Sequence, residues 1–148
     1  MPKTIELNLP ALPDLTKVGS NKTYAHHMQG ARLKGQEKDK WRLLLAEQGF
    51  GLRSDAEGPL LAGKVQCSVT LYYPDNRLPD EHNCQEAVKV LLDLLQVNRV
   101  HRVSGNSWRQ TGYCGIIDND RDLVWEEPPR LIVDRDKAPM TLITLTEE

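Results

Sequence analysis

The sequence predicts an α+β domain with a mixed β-sheet and helices packed mainly on one face. Two observations support this prediction. Strand-like and helix-like segments alternate twice in the first two thirds of the chain, and several short β-rich segments follow in the last third. Such an order is typical of layered folds that combine helices with a sheet. A length of 148 residues fits one domain of ordinary size. We therefore expect a single domain over residues 1–148.

The N-terminal part predicts one strand and one helix. Apolar and polar side chains alternate over residues 5–9, which is the period of a half-buried strand. Residues 36–48 carry apolar side chains at helical spacing, and Gly49 suits the position just after a helix. Between these elements, residues 14–35 combine three glycines with polar and basic side chains. This composition predicts an irregular basic arm that holds at most a short helix near residues 24–32.

The middle of the chain predicts a second strand and a second helix. Alternation over residues 65–73 is the clearest strand signal in the sequence. After a polar turn, Asn83 suits a helix N-cap, with Glu86 three residues later. Apolar side chains then recur at helical spacing through Leu95, while Lys89 lies on the polar side of this helix.

The last third predicts a loop followed by strands. Residues 96–114 are basic, contain two glycines and lack a strong period. We expect a loop insertion there, with a short strand or a helix extension around residues 97–103 left open. Residues 123–125, 130–133 and 140–145 are rich in residues that favour strands.

Composition argues against a membrane protein and a disulfide-linked one. The longest apolar runs are far shorter than the roughly 20 residues that a membrane-spanning helix needs. The N-terminus lacks the apolar stretch of a signal peptide, and the three cysteines are an odd number without a C-x-x-C motif. We expect a reduced, cytoplasmic protein without disulfides.

The charges are segregated along the chain, although the formal net charge is only −2. The arm (14–35) and the insertion (96–114) are basic, and a compact acidic run follows at residues 118–127. Basic segments favour binding to an anionic polymer, but charged segments are also common on ordinary solvated surface, and both interpretations stand at this point. The candidate phosphate-binding residues are Lys22, Arg32, Lys34, Arg99, Arg102 and Arg109.

An acidic turn follows the apolar pair Ile116-Ile117. Asp118, Asp120 and Asp122 alternate there, as in a calcium-binding loop. Leu123 and Pro129 occupy the positions at which an EF-hand needs Gly and Glu, so that motif is excluded. The turn is either solvated surface or one half of a metal site.

The other half of such a site would come from the entrance of the second helix. Asp80 and His82 lie one residue apart and could present an oxygen and an imidazole to one cation. A turn with a helix cap explains the same two residues equally well. The candidate metal ligands are Asp80, His82, Asp118 and Asp120.

Two blocks of the sequence combine acidic, amide and basic residues at fixed spacing. They are Asp80-x-His82-Asn83 with Lys89 and Asp93 on the following helix, and Gly115-Ile116-Ile117-x-Asn119-Asp120. Together these blocks resemble the motifs of the RusA-type Holliday junction resolvases. The chain departs from the family pattern in two places, since His82 and Asn119 stand where the family has acidic residues. Asp118 is adjacent and could supply the second missing carboxylate. The segment that links the two blocks is also longer than is usual in the family, and it contains the basic insertion.

The resemblance implies a homodimeric, Mg²⁺-dependent endonuclease that cleaves four-way DNA junctions. The implied catalytic residues are Asp80, Asp120 and Lys89. A metal-dependent mechanism suits this reaction, because a cation neutralises the phosphate and activates the attacking water. Mn²⁺ is an alternative to Mg²⁺, since the imidazole of His82 suits a less hard cation. The rival hypothesis is a DNA-structure-binding protein of the same fold in which His82 and Asn119 have impaired cleavage.

Overall fold

The computed structural model describes residues 2–14 and 27–148, although the side chains of residues 27–31 and of His82 are not among those described. The described residues form two α-helices, seven β-strands and a short 3-10 helix. They are β1 (Thr4–Leu9), α1 (His27–Glu47), β2 (Val65–Tyr73), α2 (Glu81–Asp93), β3 (Val97–Ser104), β4 (Ser107–Cys114), the 3-10 helix (Asp120–Asp122), β5 (Leu123–Trp125), β6 (Arg130–Val133) and β7 (Met140–Glu147).

Five strands form one mixed sheet, and β3 pairs with β4 in a separate hairpin. In the main sheet, β7 lies between β1 and β2 and is antiparallel to both. Strands β5 and β6 both run parallel to β2 and pair with its two ends. This arrangement confirms the predicted α+β class, and the strand predicted at residues 65–73 is confirmed at both ends.

One face of the sheet forms the core and the other is polar. Leu7, Ile143 and Val69 are register neighbours on β1, β7 and β2, and all three are buried. Helix α1 contributes Trp41 and helix α2 contributes Leu91 to the same cluster. Each of these large apolar side chains stabilises the fold by roughly 1.5–3 kcal/mol when it is fully buried.

Helix α1 begins earlier than the sequence pattern predicts. Residues 27–35, which we predicted as part of an irregular arm, are helical and continuous with the predicted helix. Gly35 costs about 1 kcal/mol in a helix interior, but packing of the buried stripe offsets that cost. The remainder of the predicted arm, residues 15–26, lies outside the described residues.

The end of α1 agrees with the prediction for Gly49. The N–H of Phe50 donates to the Leu45 carbonyl at 2.9 Å, and the N–H of Gly49 donates to the Ala46 carbonyl at 3.0 Å. Gly49 itself has φ of 90°. These are the hydrogen bonds of a Schellman motif, in which glycine is favoured because it adopts positive φ without strain.

Helix α2 begins at Glu81, so the predicted N-cap at Asn83 is wrong. Asp80 occupies the capping position: its Oδ1 accepts the N–H of Asn83 at 3.4 Å, and its carbonyl accepts the N–H of Cys84 at 3.1 Å. Aspartate caps a helix as well as asparagine does, and its negative charge suits the helix N-terminus.

The predicted loop insertion is a β-hairpin, which corrects the sequence prediction for residues 96–114. Ser104 and Ser107 pair across a two-residue turn formed by Gly105 and Asn106, and Gly105 has φ of 47°. A Gly-Asn pair is a hairpin signal. The alternating pattern was weak because residues 100–110 are exposed on both faces of the hairpin.

The base of the hairpin depends on Gly112. This residue has φ of 74°, and a Cβ atom there would lie 2.2 Å from the backbone oxygen of Val97. Glycine is therefore required both by the backbone conformation and by the close approach of β3.

Within the two described segments, no helix combines the length and the hydropathy that crossing a membrane requires. Cys67, Cys84 and Cys114 are free thiols buried in the core. Burial raises the pKa of both Cys67 and Cys114 to about 12. These thiols are consequently poor nucleophiles in the folded protein.

Candidate functional site

A cleft of about 570 Å³ lies along the polar side of α2. The acidic turn, strand β5 and the segment that follows it form the opposite wall, and α1 contributes Lys34. Apolar side chains make up much of its surface, and polar groups lie among them. The charged residues that line the cleft are Lys34, Glu86, Lys89, Asp93, Asp120 and Glu127.

Asp93 and Asp120 are the two aspartates of the cleft, and the charge of Asp120 acts on Asp93. The pKa of Asp93 is raised, first because the carboxyl is half-buried and loses water. The negative charge of Asp120 raises it further, while Lys38, Lys34 and Arg109 act in the opposite direction. Perturbed carboxyl groups in a cleft are a common feature of functional sites.

The chain positions Asp120 through the local structure of the acidic turn. The buried pair Ile116-Ile117 anchors the preceding segment in the core. Asn119 then caps the 3-10 helix, because its Oδ1 accepts the N–H of Arg121 at 3.2 Å. Asp120, the first residue of that helix, consequently lies beside α2. Asn119 thus has a structural role as the cap of the 3-10 helix that carries Asp120.

Lys89 lies on the exposed side of α2 and lines the same cleft. Its side chain is 67% exposed, and its Nζ forms an ion pair of 3.2 Å with Glu86. Lys89 therefore pairs with Glu86, three residues earlier on the helix, and not with Asp93, the partner expected four residues later. A surface pair of this kind is weak, so Lys89 can exchange Glu86 for another anion at little cost.

Cations from two other elements surround the carboxylates. Lys34 and Lys38 lie one turn apart on α1, and Arg109 projects from β4. The pKa of Lys38 is lowered, mainly by burial, although the nearby Asp93 opposes that shift. Lys34 and Arg109, which we predicted to bind phosphate, therefore lie near the carboxylates. The sequence interpretation did not assign Lys38 to the site, and it named Asp93 only as part of the motif block and not as a metal ligand. The signal for both was their position on the polar faces of two helices.

Arg99 and Asp118 bind each other. The Arg99 Nη2 lies 2.5 Å from Asp118 Oδ1, and its Nη1 donates to the Asp118 carbonyl at 2.7 Å. Asp55 lies 3.9 Å from the Nε of the same guanidinium. The sequence assigned Arg99 to phosphate and Asp118 to metal, whereas the structure joins them in an ion pair that ties the hairpin to the acidic turn.

Asp80 lies at the far end of α2 from Asp93. The described lining of the cleft includes Asp120 but neither Asp80 nor Asp118. A rise of 1.5 Å per residue puts the backbones of Asp80 and Asp93 about 20 Å apart. The side chain of His82, next to Asp80, lies outside the described residues.

The remaining predicted cations have varied surroundings. Arg32 is exposed on α1. Arg102 is exposed on β3, and its Nε donates to the Gly105 carbonyl at 2.8 Å, which braces the turn of the hairpin. Lys22 lies outside the described residues.

The donor atoms of the cleft suit a hard divalent cation. In the described part of the chain, no three His, Cys, Asp or Glu residues lie close enough to form a complete ligand set. Mg²⁺ does not need one, because it commonly binds one or two carboxylates and completes its coordination with water and substrate phosphates. Asp93 and Asp120 offer such a pair of oxygen donors.

Neither a comparison with models of known protein families nor one with curated protein sequences gives a match for this chain. The likeness to the RusA-type resolvases accordingly rests on the two motif blocks of the sequence alone.

Proposed function

We propose that this protein is a metal-dependent endonuclease that cleaves four-way or other branched DNA by phosphodiester hydrolysis, as its RusA-like motifs imply. One observation carries the proposal. Asp120 and Lys89, the predicted catalytic residues from the two motif blocks, line one cleft together with Asp93. Cations at Lys34, Lys38 and Arg109 lie near these carboxylates. Carboxylates for a metal beside cations for phosphate are the groups that this reaction requires.

In this proposal, Asp93 and Asp120 hold Mg²⁺ or Mn²⁺. The bound cation would supply charge neutralisation at the phosphate and lower the pKa of an attacking water. Asp93 adds to the ligands inferred from the sequence. Its raised pKa fits the role, because a half-buried carboxylate near a second one gains stability when a cation binds between them.

The cations of the cleft bind and orient the DNA backbone. Lys34 and Arg109 lie on two different elements, so together they can hold a phosphate on both sides. Lys89 is exposed and weakly paired, and it is free to exchange Glu86 for a phosphate oxygen. A positioned lysine stabilises the charge that develops on the transferring group.

Asp80 has a separate role in this proposal. As the N-cap of α2 it fixes the start of the helix that carries Lys89 and Asp93. A direct role for Asp80 and His82 as metal ligands, which the RusA motif implies, stays a prediction. The Asp80→Asn variant tests it, because asparagine preserves a cap but weakens a metal ligand.

We also propose a homodimer that acts in the cytoplasm. A four-way junction has two-fold symmetry, so two symmetric incisions require two active sites related by a C₂ axis. Light scattering at micromolar concentration should return twice the mass of the chain, with and without junction DNA. A monomer under both conditions would reject this part of the proposal.

The decisive experiment is nicking of a synthetic four-way junction by the full chain in Mg²⁺ and in Mn²⁺. Asp120→Asn should lower the rate by at least about 100-fold while junction binding stays near normal. Asp122→Asn is the matched control, because Asp122 lies in the same 3-10 helix and does not line the cleft. Equal activity of the two variants would contradict the proposed site.

The second candidate function is junction binding without cleavage. It is favoured by His82 and Asn119, which stand at acidic positions of the RusA pattern. The same assay separates the two candidates, because this one predicts tight junction binding with no nicking in either metal.

A further inference from the structure

The β3–β4 hairpin is anchored at its base and exposed along the rest of its length. Val97 and Cys114 are buried, and the N–H of Asn98 donates to the Arg53 carbonyl at 2.7 Å. Every residue from 100 to 110 is exposed. At roughly 3.3 Å per residue, this part of the hairpin extends about 15 Å from its anchored base.

The exposed part carries large apolar side chains that an ordinary surface would not need. Val100, Val103 and Trp108 are 60%, 63% and 64% exposed. No acidic residue occurs between residues 96 and 117. Arg109 follows Trp108 in the sequence, and Arg102 lies opposite Trp108 on the neighbouring strand. Several large apolar side chains exposed on one short hairpin mark an interaction surface, and the positive charge of the same hairpin indicates an anionic partner.

The register separates the two faces of the hairpin. Arg102 lies opposite Trp108, so these two side chains share one face. His101 lies opposite Arg109 on the other face, and Arg109 is the residue that acts on Asp93 and Lys38. One face of the hairpin therefore carries Arg109, whose charge acts on Asp93, and the other face presents an indole and a guanidinium.

The turn fixes where the indole is presented. Arg102 Nε donates to the Gly105 carbonyl at 2.8 Å, which ties β3 to the two-residue turn. Trp108 lies across the strand from Arg102, close behind that turn. A braced two-residue turn holds its flanking side chains more firmly than a long loop would.

We propose that the tip of this hairpin recognises the branch point of DNA, with Trp108 stacking on an exposed base there and Arg102 contacting the adjoining phosphate. This proposal rests on the DNA substrate of the proposed function and adds a specificity-determining residue to it. Indole rings stack on any base, but the bases of a continuous duplex are covered by their neighbours. Only a branch, a break or a single strand exposes a base face, so the hairpin distinguishes a junction from duplex DNA.

The test measures binding of the full chain to a four-way junction and to a duplex of the same length, in EDTA so that cleavage cannot interfere. A 2-aminopurine base at the branch point reports stacking directly. Trp108→Ala should weaken junction binding about tenfold or more and abolish the 2-aminopurine response, while duplex binding changes less than about twofold. Trp108→Phe should retain most of the response, because a phenyl ring still stacks.

Leu43→Ala is the matched control, since Leu43 is an exposed apolar residue on the side of α1 opposite Lys34. It should leave both affinities unchanged. An equal loss on junction and duplex, or no loss with Trp108→Ala, would overturn the inference. So would conversion of a dimer to a monomer by Trp108→Ala without DNA, because the hairpin would then be a contact between two copies of the chain.

The experiment keeps this inference separate from the proposed function. Junction-selective binding that depends on Trp108, without nicking in Mg²⁺ or Mn²⁺, would support the hairpin role and reject the endonuclease. Nicking that depends on Asp120 but not on Trp108 would support the endonuclease and reject the hairpin role. A wild-type chain that binds neither DNA would reject both.

Discussion

The guanidinium of Arg99 on β3 binds both the carboxylate and the backbone carbonyl of Asp118, at 2.5 and 2.7 Å. This contact joins the base of the hairpin to the turn that carries Asp120. Arg99 is 26% exposed and Asp118 is 48% exposed, so solvent screens the pair in part. The contact therefore positions two parts of the proposed site relative to each other, and it leaves the arginines nearer the tip to contact DNA.

The three arginines of the hairpin should consequently differ in a salt titration. Replacing Arg102 and Arg109 together with glutamine should lower the slope of log affinity against log salt by about 2, because each lost phosphate contact contributes roughly 0.9. Arg99→Gln should leave the slope unchanged and reduce stability by about 1 kcal/mol. Fluorescence anisotropy from 50 to 300 mM salt measures the slope. Arg77→Gln with Arg135→Gln, which removes two exposed charges elsewhere, is the control.

The carboxyl of Asp93 should affect both the pH dependence of folding stability and the nicking activity. Its folded-state pKa lies above the ordinary 3.8, mainly because of burial. The folded protein therefore holds this proton more tightly than the unfolded chain does. The resulting stability is present below pH 3.8 and is lost as the pH rises through the raised pKa.

Asp93→Asn should thus raise the melting temperature at pH 7, and the difference from the wild type should shrink as the pH falls toward 3.8. The same variant should lose at least about 100-fold in nicking rate if Asp93 holds the metal. Thermal melts across pH 4–8 and junction nicking measure the two effects. A variant that is less stable at pH 7 would show that neighbouring cations outweigh burial.

Two glycines should respond to alanine in opposite directions. Gly112→Ala should destabilise the fold by more than about 2 kcal/mol, because the φ of 74° disfavours alanine and its Cβ would meet the Val97 oxygen. Gly35→Ala should stabilise it by about 0.5–1 kcal/mol, because α1 has open space there and alanine favours a helix. Urea unfolding measures both. A tolerated alanine at position 112 would contradict the close approach of the Val97 backbone oxygen at the base of the hairpin.

Metal preference tests whether His82, a residue of the RusA-like motif, binds the metal. If His82 is a ligand, Mn²⁺ should support faster cleavage than Mg²⁺, and activity should fall as the pH drops through about 6.5, where imidazole gains a proton. His82→Asp should then raise the rate in Mg²⁺. Nicking assays in both metals over pH 5.5–8 provide the measurement. Identical metal preference in the wild type and His82→Asp would exclude His82 from the metal site.

Local patterns alone predicted the strands of the main sheet and most of both helices. Strand 65–73 was predictable because a strand with one buried face alternates apolar and polar side chains, and this alternation is visible in consecutive residues. The capping position of Gly49 was predictable for the same reason, since a helix end needs a residue that tolerates positive φ. The hairpin was missed because an element exposed on both faces has no apolar period to detect.

Only the tertiary structure decided which charged residues meet. The motif blocks contained Asp120, Lys89 and Asp93, but they did not predict that Asp93 lines one cleft with the other two or that Arg99 neutralises Asp118. Sequence spacing determines neighbours along one helix or strand. Whether the acidic turn lies beside the middle of α2 or beside Asp80 depends on how Ile116 and Ile117 pack into the core, which is a long-range property of the whole fold.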